Sequence, residues 1–361
     1  MRIAQIAPPV ERVPPEGYGG TERVVSFLTE ALVDLGHEVT LFASGDSLTR
    51  ARLRSVCPQS LRKMPDCRDY LPYFILEIDA ALRAEAEFDV LHFHTEFLHF
   101  PFFRGRPNRT VTTLHLRLDA PETSRLFDGF PEMPVVAISD AQRRLVPQAR
   151  WMGTVHHGLP EKLYSLGRGE GGYLLFLGRL SVEKRPDLAI EIARRAGIPL
   201  LIAAKEDPRH DAEYIETIRP LLSLPHVRFL GEVHQSEKQA LIGNAVALIS
   251  PIQWPEPFGL STIEAIACGT PVIAFPYGAL PEVLEPGTTG FLVRNVEEAV
   301  RAVPLAAQLS RKQIRLSFER RFTAERMAKD YLAIYQRLID EGAASPPQGA
   351  PSTPSAFPPK A

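Results

Sequence analysis

The sequence predicts an α/β protein whose two domains face each other across a cleft. Three observations support this prediction: the chain has 361 residues, short apolar runs alternate with longer amphipathic segments, and a glycine-rich stretch interrupts that alternation near the middle. A single domain commonly has about 100–200 residues, so this length favours two. Short apolar runs separated by amphipathic helices are typical of parallel sheets covered by helices.

In the predicted first domain, residues 1–160, the clearest helix is 21–35, because its apolar residues recur on one helical face. The candidate strands of this domain are Ile3–Ala7, Val39–Ala43, Val90–His94, Thr110–His115, Val135–Ser139 and Thr154–His156.

A second series of strands belongs to the predicted second domain, residues 161–325. The segment 157–172 carries five glycines and a proline and predicts the hinge near residue 160. The candidate strands of the second series are Tyr173–Leu177, Leu200–Ala204, Val227–Leu230, Ala247–Ile249, Val272–Phe275 and Phe291–Val293.

The end of the chain divides into a helix and a tail. Residues 322–339 have an amphipathic pattern, and we expect the part over 326–341 to cross back to the first domain. Residues 342–361 are rich in Pro, Ser, Ala and Gly, which predicts a disordered tail.

Composition excludes several classes of protein. The formal net charge is −2, which speaks against a nucleic-acid partner. The three cysteines form no CxxC pair, so we expect neither a disulfide framework nor a zinc site. The N-terminus is unlike a signal peptide, and no apolar run approaches the about 18 residues of a membrane span. We therefore expect a cytoplasmic protein.

Two basic clusters in the first domain have two interpretations. They are either solvated surface arginines or a patch for an anionic acceptor or for the inner membrane surface, which would make the protein peripheral there. Their members are Arg50, Arg52, Arg54, Arg62, Lys63 and Arg68, and then Arg104, Arg106 and Arg109.

Three segments could carry chemistry. In the first, Gly17–Arg23, Gly19 and Gly20 stand where the first helix opens, so the backbone can approach an anionic ligand or simply form a tight turn. The second, Gly178–Pro186, follows the first strand of the second domain. Its Arg179 and Lys184 either neutralise a diphosphate in the cleft or make ordinary surface contacts.

The third segment, Trp254–Pro271, is the most informative. Glu256 precedes a predicted helix that begins near Gly259, and Glu264 lies about one and a half turns inside that helix. The free N–H groups around Phe258, Gly259 and Leu260 can receive phosphate oxygens while the two carboxylates accept hydroxyl hydrogen bonds. A polyol on each side of a diphosphate is a sugar nucleotide.

This third segment resembles the Glu-seven-residues-Glu signature of retaining glycosyltransferases of family 4. The resemblance extends from the first strand to about residue 335 and includes Thr113–His115, the Gly-Arg-Leu and Glu-Lys segments and Pro281–Val283. It implies the GT-B fold, in which two Rossmann-like domains face each other across a cleft.

The resemblance also implies roles for individual residues. Gly19 and Gly20 would approach the donor through their backbone, and Arg179 and Lys184 would neutralise the diphosphate. Glu256 would hold sugar hydroxyls and Glu264 the ribose. The remaining implied donor contacts are Val233 beside the base, Phe258, Gly259 and Leu260 at the phosphates, and His115 facing the transferred sugar and the acceptor, although His115 could also be an ordinary core histidine.

Two features depart from the family pattern or compete with it. Arg185–Pro186 follows the Glu-Lys pair where many members have Gly, and His157–Gly158 replaces Asn-Gly at the hinge.

His92, His94 and His99 have spacing that resembles metal ligands. Because family members generally need no metal or other cofactor, we expect this histidine group to be structural or to face the acceptor.

The function implied is retaining transfer of a hexose from a nucleoside diphosphate sugar, with UDP preferred on family frequency alone, to an unidentified small-molecule, glycan or lipid acceptor. The alternatives are a UDP-sugar epimerase and a non-catalytic sugar-nucleotide-binding protein. Acceptor contacts are expected from the first-domain loops Tyr70–Phe74, Phe97–Arg106 and Arg117–Phe130.

Overall fold

The computed structural model describes residues 1–17 and 19–344. Its strands form two separate parallel sheets, one within residues 2–154 and the other within 174–292. The predicted hinge near residue 160 falls between them. The segment 345–361, for which composition predicts disorder, lies outside the described residues.

The first sheet has seven strands in the order β3-β2-β1-β4-β5-β6-β7. Six of them overlap the candidate strands, although the last begins at Arg150 rather than Thr154. β3 was not predicted, because an Arg-Leu-Arg edge strand has no apolar run. The strands are β1 Arg2–Ile6, β2 Glu38–Phe42, β3 Arg52–Arg54, β4 Val90–Phe93, β5 Thr110–Thr113, β6 Pro134–Ala137 and β7 Arg150–Thr154. The helices are α1 Gly20–Asp34, α2 Leu71–Arg83, α3 Phe100–Phe103, α4 Pro121–Gly129 and α5 Asp140–Arg143.

The second sheet has six strands in the order β10-β9-β8-β11-β12-β13, and all six overlap the candidate strands. The strands are β8 Leu174–Arg179, β9 Leu200–Lys205, β10 Val227–Gly231, β11 Ala247–Ser250, β12 Val272–Ala274 and β13 Gly290–Leu292. The helices are α6 Pro186–Ala196, α7 Pro208–Leu222, α8 Gln235–Asn244, α9 Leu260–Ala267, α10 Leu280–Val283, α11 Val296–Ala306, α12 Arg311–Arg321 and α13 Ala324–Ala344. Short 3-10 turns cover Leu61–Lys63, Glu85–Glu87 and Glu161–Leu163.

The strand order places the cleft. Successive strands are added toward one edge of the sheet and then toward the other. This change of side falls between β1 and β4 in the first domain, and between β8 and β11 in the second. Loops leaving the carboxyl ends of such neighbouring strands diverge and leave a crevice between them. The loops after β1, β4, β8 and β11 therefore form the walls of the cleft.

The last helix returns to the first domain and joins its core. Met327, Tyr331, Tyr335 and Leu338 of α13 pack in one buried cluster with Leu28 of α1. The helix begins at Ala324 and continues to Ala344, so residues 342–344, which composition placed in the tail, are helical. No helix in the described ranges is long and apolar enough to cross a membrane.

The hinge and the start of α13 are joined by backbone hydrogen bonds. Leu159 N donates to Phe322 O at 2.9 Å, and Ala324 N donates to Leu159 O at 2.8 Å. A Cβ atom at Gly158 would lie 2.2 Å from Thr323 O, so the two crossing segments can approach this closely only with glycine there.

Candidate active site

Lys184 and Glu256 meet in the cleft as an ion pair. Lys184 follows β8, Glu256 follows β11, and the Lys184 Nζ atom lies 2.5 Å from Glu256 Oε2. Trp254 Nε1 donates to the same oxygen at 2.8 Å. The two loops follow β8 and β11, which are neighbours in the sheet. Residues 72 positions apart in sequence are therefore in contact.

The loop that carries Glu256 is held by Gly278. This glycine has a φ of +57°, in the left-handed region, and a Cβ atom there would lie 2.2 Å from Glu256 O. Ala279 N donates to the same carbonyl at 2.9 Å. The Glu256 backbone is therefore fixed by a neighbour that can only be glycine.

Two helix N-termini face each other across the cleft. α9 begins after Gly259, whose φ is +91°, and α1 begins after Gly19, and neither of these glycines has a side chain that could cap its helix. A Cβ atom at Gly20 would lie 3.6 Å from Leu260 Cδ1, so the starts of the two helices lie close together. The N-termini of two helices thus lie near one place, and helix N-termini are common anion-binding sites.

Arg179 is closer to Asp211, an acidic residue that the sequence did not single out, than to Glu183. Its Nε atom lies 3.0 Å from Asp211 Oδ2, whereas its Nη2 atom lies 3.9 Å from Glu183 Oε2. The Nε and Oδ2 atoms are close but not aligned as a hydrogen bond. Asp211 is buried, and this desolvation raises the pKa of its carboxyl against the lowering effect of Arg179.

Glu264 is buried and already holds two partners. Lys238 Nζ lies 3.0 Å from Glu264 Oε1, and the Tyr164 hydroxyl donates to that same oxygen at 3.0 Å. Neither partner was predicted, because Tyr164 lies in the hinge and Lys238 on α8, and neither position has a local pattern that marks it. Burial is also the main reason why the pKa of Tyr164 is raised, with the nearby Glu264 adding to it.

A hydrogen-bonded link joins the two domains beside Glu264. Arg23 of α1 donates to Gly17 O at 2.6 Å and to Gln235 Oε1 at 3.0 Å. Gln235 Nε2 in turn donates to the Tyr164 hydroxyl at 2.7 Å. Val233, predicted beside the base, lies half-buried in the loop just before Gln235.

His115 stands at the end of β5 and faces the second domain. Its ring stacks on His157 with centroids 5.4 Å apart, and His157 in turn contacts Phe258 with centroids 4.9 Å apart. The His115 backbone N–H donates to Glu96 Oε1 at 3.0 Å. Burial lowers the pKa of His115 to about 3, so the ring is neutral. Sequence reasoning treated His157 only as part of the hinge.

His92, His94 and His99, the group with metal-like spacing, lie inside the first domain. His99 stacks on Phe93 with centroids 3.7 Å apart, and His92 contacts Thr113 and Tyr335. In the ranges 1–17 and 19–344, no group of three or more His, Cys, Asp or Glu side chains could hold a metal ion. These histidines are thus part of the buried core of the first domain.

A small pocket lies between the two domains next to Glu256. It is lined by Arg117, Gln142 and Leu145 on one side and by Pro255 and Pro257 on the other. The Arg117 guanidinium lies 4.7 Å from the centroid of the Trp254 ring and is paired with Asp119. Of the predicted acceptor loops, the one that begins at Arg117 is the loop that reaches this pocket.

The basic clusters of the first domain are largely neutralised by local carboxylates. Arg50 pairs with Glu30 at 2.6 Å and Arg54 with Glu87 at 2.5 Å. The further pairs are Arg62–Glu11, Lys63–Glu16, Arg104–Glu132 and Arg106–Glu85. These pairs favour the interpretation as solvated surface arginines.

Comparison with known proteins identifies the family. Residues 165–318 match the model for glycosyl transferases group 1, and residues 18–169 match that for glycosyltransferase family 4. The chain belongs to this glycosyltransferase family. The glycosyltransferase is 28% identical to the phosphatidyl-myo-inositol mannosyltransferase of Mycolicibacterium smegmatis, over 94% of this chain and 92% of the relative. It is 32% identical to the D-inositol 3-phosphate glycosyltransferase of Geodermatophilus obscurus, over 50% of this chain and 43% of the relative.

Solved structures agree with this assignment. AviGT4, a glycosyltransferase involved in avilamycin A biosynthesis, is 26% identical with a TM-score of 0.73 over 94% of this chain and 98% of its own. A sucrose-phosphate synthase from Thermosynechococcus elongatus shares the fold, at 23% identity and a TM-score of 0.75 over 94% and 100% of the two chains. The predicted GT-B fold and transferase activity are confirmed, and the epimerase and non-catalytic alternatives are not supported.

Proposed function

We propose that this glycosyltransferase moves a hexose from a nucleoside diphosphate sugar to an acceptor hydroxyl with retention of configuration. The observation that carries the proposal is the closeness of the starts of α1 and α9, near Lys184. Two helix N-termini and a lysine in one place favour a diphosphate over a neutral ligand. Arg179, at the end of the neighbouring β8, adds a second cation.

The two glutamates have separate tasks in this proposal. Glu256 accepts hydrogen bonds from the sugar hydroxyls, and Glu264, deeper in the second domain, accepts them from the ribose. In the free protein the cations Lys184 and Lys238 neutralise these carboxylates. On donor binding, Lys184 turns to the diphosphate while Glu256 exchanges its ammonium partner for hydroxyl groups of the sugar.

The chemistry is stabilisation of a leaving group. As the bond between the sugar anomeric carbon and the phosphate oxygen breaks, negative charge grows on the diphosphate, where the helix N–H groups, Arg179 and Lys184 stabilise it. The acceptor oxygen forms its bond to the same face of the sugar, and its proton passes to the leaving diphosphate. Because these protein groups carry the charge, the proposal includes no metal ion.

The donor base and the acceptor are finer parts of the proposal. UDP remains the first donor candidate, and GDP-mannose is the second because a full-length relative is named a mannosyltransferase. Both named relatives act on inositol compounds, so we propose a phosphorylated polyol as acceptor, bound at the cleft wall beside Arg117. A lipid-linked acceptor would be reached by peripheral membrane contact, for which α2 exposes Leu71, Ile75 and Leu76.

A donor scan followed by a transfer assay tests the proposal. Thermal shifts with UDP-, GDP- and ADP-hexoses identify the donor, because a bound ligand raises the melting temperature according to its affinity. Release of nucleoside diphosphate is then measured with inositol phosphate and with phosphatidylinositol vesicles, and NMR of the product gives the anomeric configuration. The absence of a shift and of nucleoside diphosphate release with every donor would overturn the proposal, and an inverted anomer would remove the retaining mechanism.

A further inference from the structure

His115 is one end of a buried chain of hydrogen bonds. Its Nε2 atom lies 2.9 Å from His94 Nδ1, and His94 Nε2 lies 2.8 Å from Gln5 Oε1. Gln5 Nε2 donates to the Tyr335 hydroxyl of α13 at 3.0 Å. Gln5, His94 and Tyr335 are essentially without solvent exposure, so no water competes for these contacts.

The positions of the protons in this hydrogen-bonded series follow from the Gln5 carbonyl group. A carbonyl oxygen can only accept, so His94 Nε2 must carry a hydrogen and donate it to Gln5 Oε1. Burial lowers the pKa of His94 well below its ordinary value and keeps the ring neutral. Its Nδ1 atom is then an acceptor, and His115 Nε2 must donate to it. Since His115 is neutral as well, its Nδ1 atom carries a lone pair.

We propose that Gln5 and His94 are positioning residues that hold His115 in the tautomer protonated on Nε2, so that Nδ1 offers a lone pair to a hydroxyl group of a ligand in the cleft. This inference rests on the proposed function for the identity of the ligand, but not for the tautomer. The hydroxyl can belong to the transferred sugar or to the acceptor, because both offer the same donor group.

The free nitrogen is placed to meet a ligand. His115 Nδ1 has no hydrogen-bond partner among the described residues, and it is not sealed from solvent as Nδ1 of His99 and His157 is. The His115 ring lies against His157, which packs on Phe258 immediately before α9. The His115 lone pair thus lies at the wall of the cleft, near the start of α9.

The same direction of donation continues beyond Gln5. The Tyr335 hydroxyl accepts from Gln5 and donates to His92 Nδ1 at 2.7 Å, and His92 Nε2 then donates to Thr113 Oγ1 at 2.7 Å. Thr113 donates in turn to the Tyr331 hydroxyl at 2.8 Å. Each group gives one hydrogen and receives one, so the His115 tautomer cannot reverse unless the Gln5 amide and every later proton reverse with it.

Histidine NMR on the full chain tests the tautomer directly. With isotopically labelled histidine, the ring nitrogen shifts show which nitrogen carries the hydrogen, and the His115→Asn variant assigns the signal. We expect the wild type to carry it on Nε2. In Gln5→Leu, which removes the acceptor, we expect a mixture of tautomers and a fall in turnover on the order of tenfold. Gln5→Glu restores an acceptor for His94 and should recover the Nε2 tautomer and much of the turnover relative to Gln5→Leu.

Two tyrosine variants separate positioning from loss of folding stability. Tyr335→Phe removes the hydroxyl next to Gln5, whereas Tyr331→Phe removes one at the far end of the same network. Both should lower the melting temperature, but only Tyr335→Phe should alter the His115 tautomer. A donor hydrolysis assay without acceptor distinguishes the two ligand sources, because a contact to the sugar slows hydrolysis as well as transfer and a contact to the acceptor slows transfer alone.

The outcomes separate this inference from the proposed function. A wild-type His115 protonated on Nδ1, or an unchanged tautomer in Gln5→Leu, would overturn the inference whatever the activity. An altered tautomer in Gln5→Leu with full turnover would overturn the positioning role. Absence of transfer in the wild type with the Nε2 tautomer present would refute the proposed function and leave the tautomer assignment standing.

Discussion

Removing the charges of Lys184 and Glu256 singly and together tests whether the two side chains stabilise each other in the folded protein. The variants are Lys184→Met, Glu256→Gln and the double variant. In the free protein the two groups lie 2.5 Å apart, with side chains 20% and 10% exposed. Each single variant leaves an opposite charge mostly buried and without its ionic partner, whereas the double variant leaves neither.

The expected size of the effect follows from this geometry. At an effective dielectric constant of about 20, two unit charges at this distance attract each other by about 7 kcal/mol. Desolvation of both groups opposes most of that attraction, and breaking such a pair from one side costs about 3–5 kcal/mol. We therefore expect the double variant to lose about 2 kcal/mol less folding stability than the sum of the single variants.

Denaturant unfolding of the four proteins measures this coupling energy. The exposed pair Lys329–Glu325 on α13, 2.6 Å apart with side chains 60% and 63% exposed, is the matched control and should show a coupling of about 0.3–0.5 kcal/mol. Nucleoside diphosphate release should fall by about a hundredfold or more in each single variant, because each loses a transition-state contact. Additive stability losses would refute the pairing, and unchanged release in both single variants would refute the assigned roles.

Two further predictions concern folding stability. Burial raises the pKa of the fully buried Glu77 well above its usual value. Above about pH 4.5 the folded protein therefore keeps a proton that the unfolded chain releases. Folding stability should fall by about 1.4 kcal/mol per pH unit from that pH until the folded-state pKa is reached. Glu77→Gln should remove this loss, so its melting temperature should exceed that of the wild type increasingly from pH 5 to pH 7.5; parallel curves would contradict the burial argument. Gly158→Ala should lower the free energy of unfolding by about 1–3 kcal/mol, because the new Cβ atom would lie 2.2 Å from Thr323 O. The control is Gly105→Ala, whose Cβ atom would enter open space and should leave stability unchanged. Equal melting temperatures for the two variants would show that the hinge can relax.

Much of the fold could be predicted from the sequence because it rests on local patterns. Apolar runs and helical periodicity located twelve of the thirteen strands in the described part of the chain, and glycines marked the starts of α1 and α9. The remaining strand, β3, escaped because an edge strand needs no apolar run. The end of α13 was misplaced for a related reason: alanine and glycine at 342–344 suit a tail by composition, yet they continue the helix here.

The candidate site was predicted only in part. The sequence by itself determined which residue types stand at strand ends and helix starts, namely Arg179, Lys184, Glu256 and His115, since these positions follow from short-range patterns. Only the tertiary structure decided their partners. Asp211 beside Arg179, Lys238 beside Glu264 and Gln5 behind His94 come from distant segments that β-strand order and chain crossing bring together. Charge pairing and proton position depend on distances of a few ångströms between such segments, and no local pattern encodes those distances.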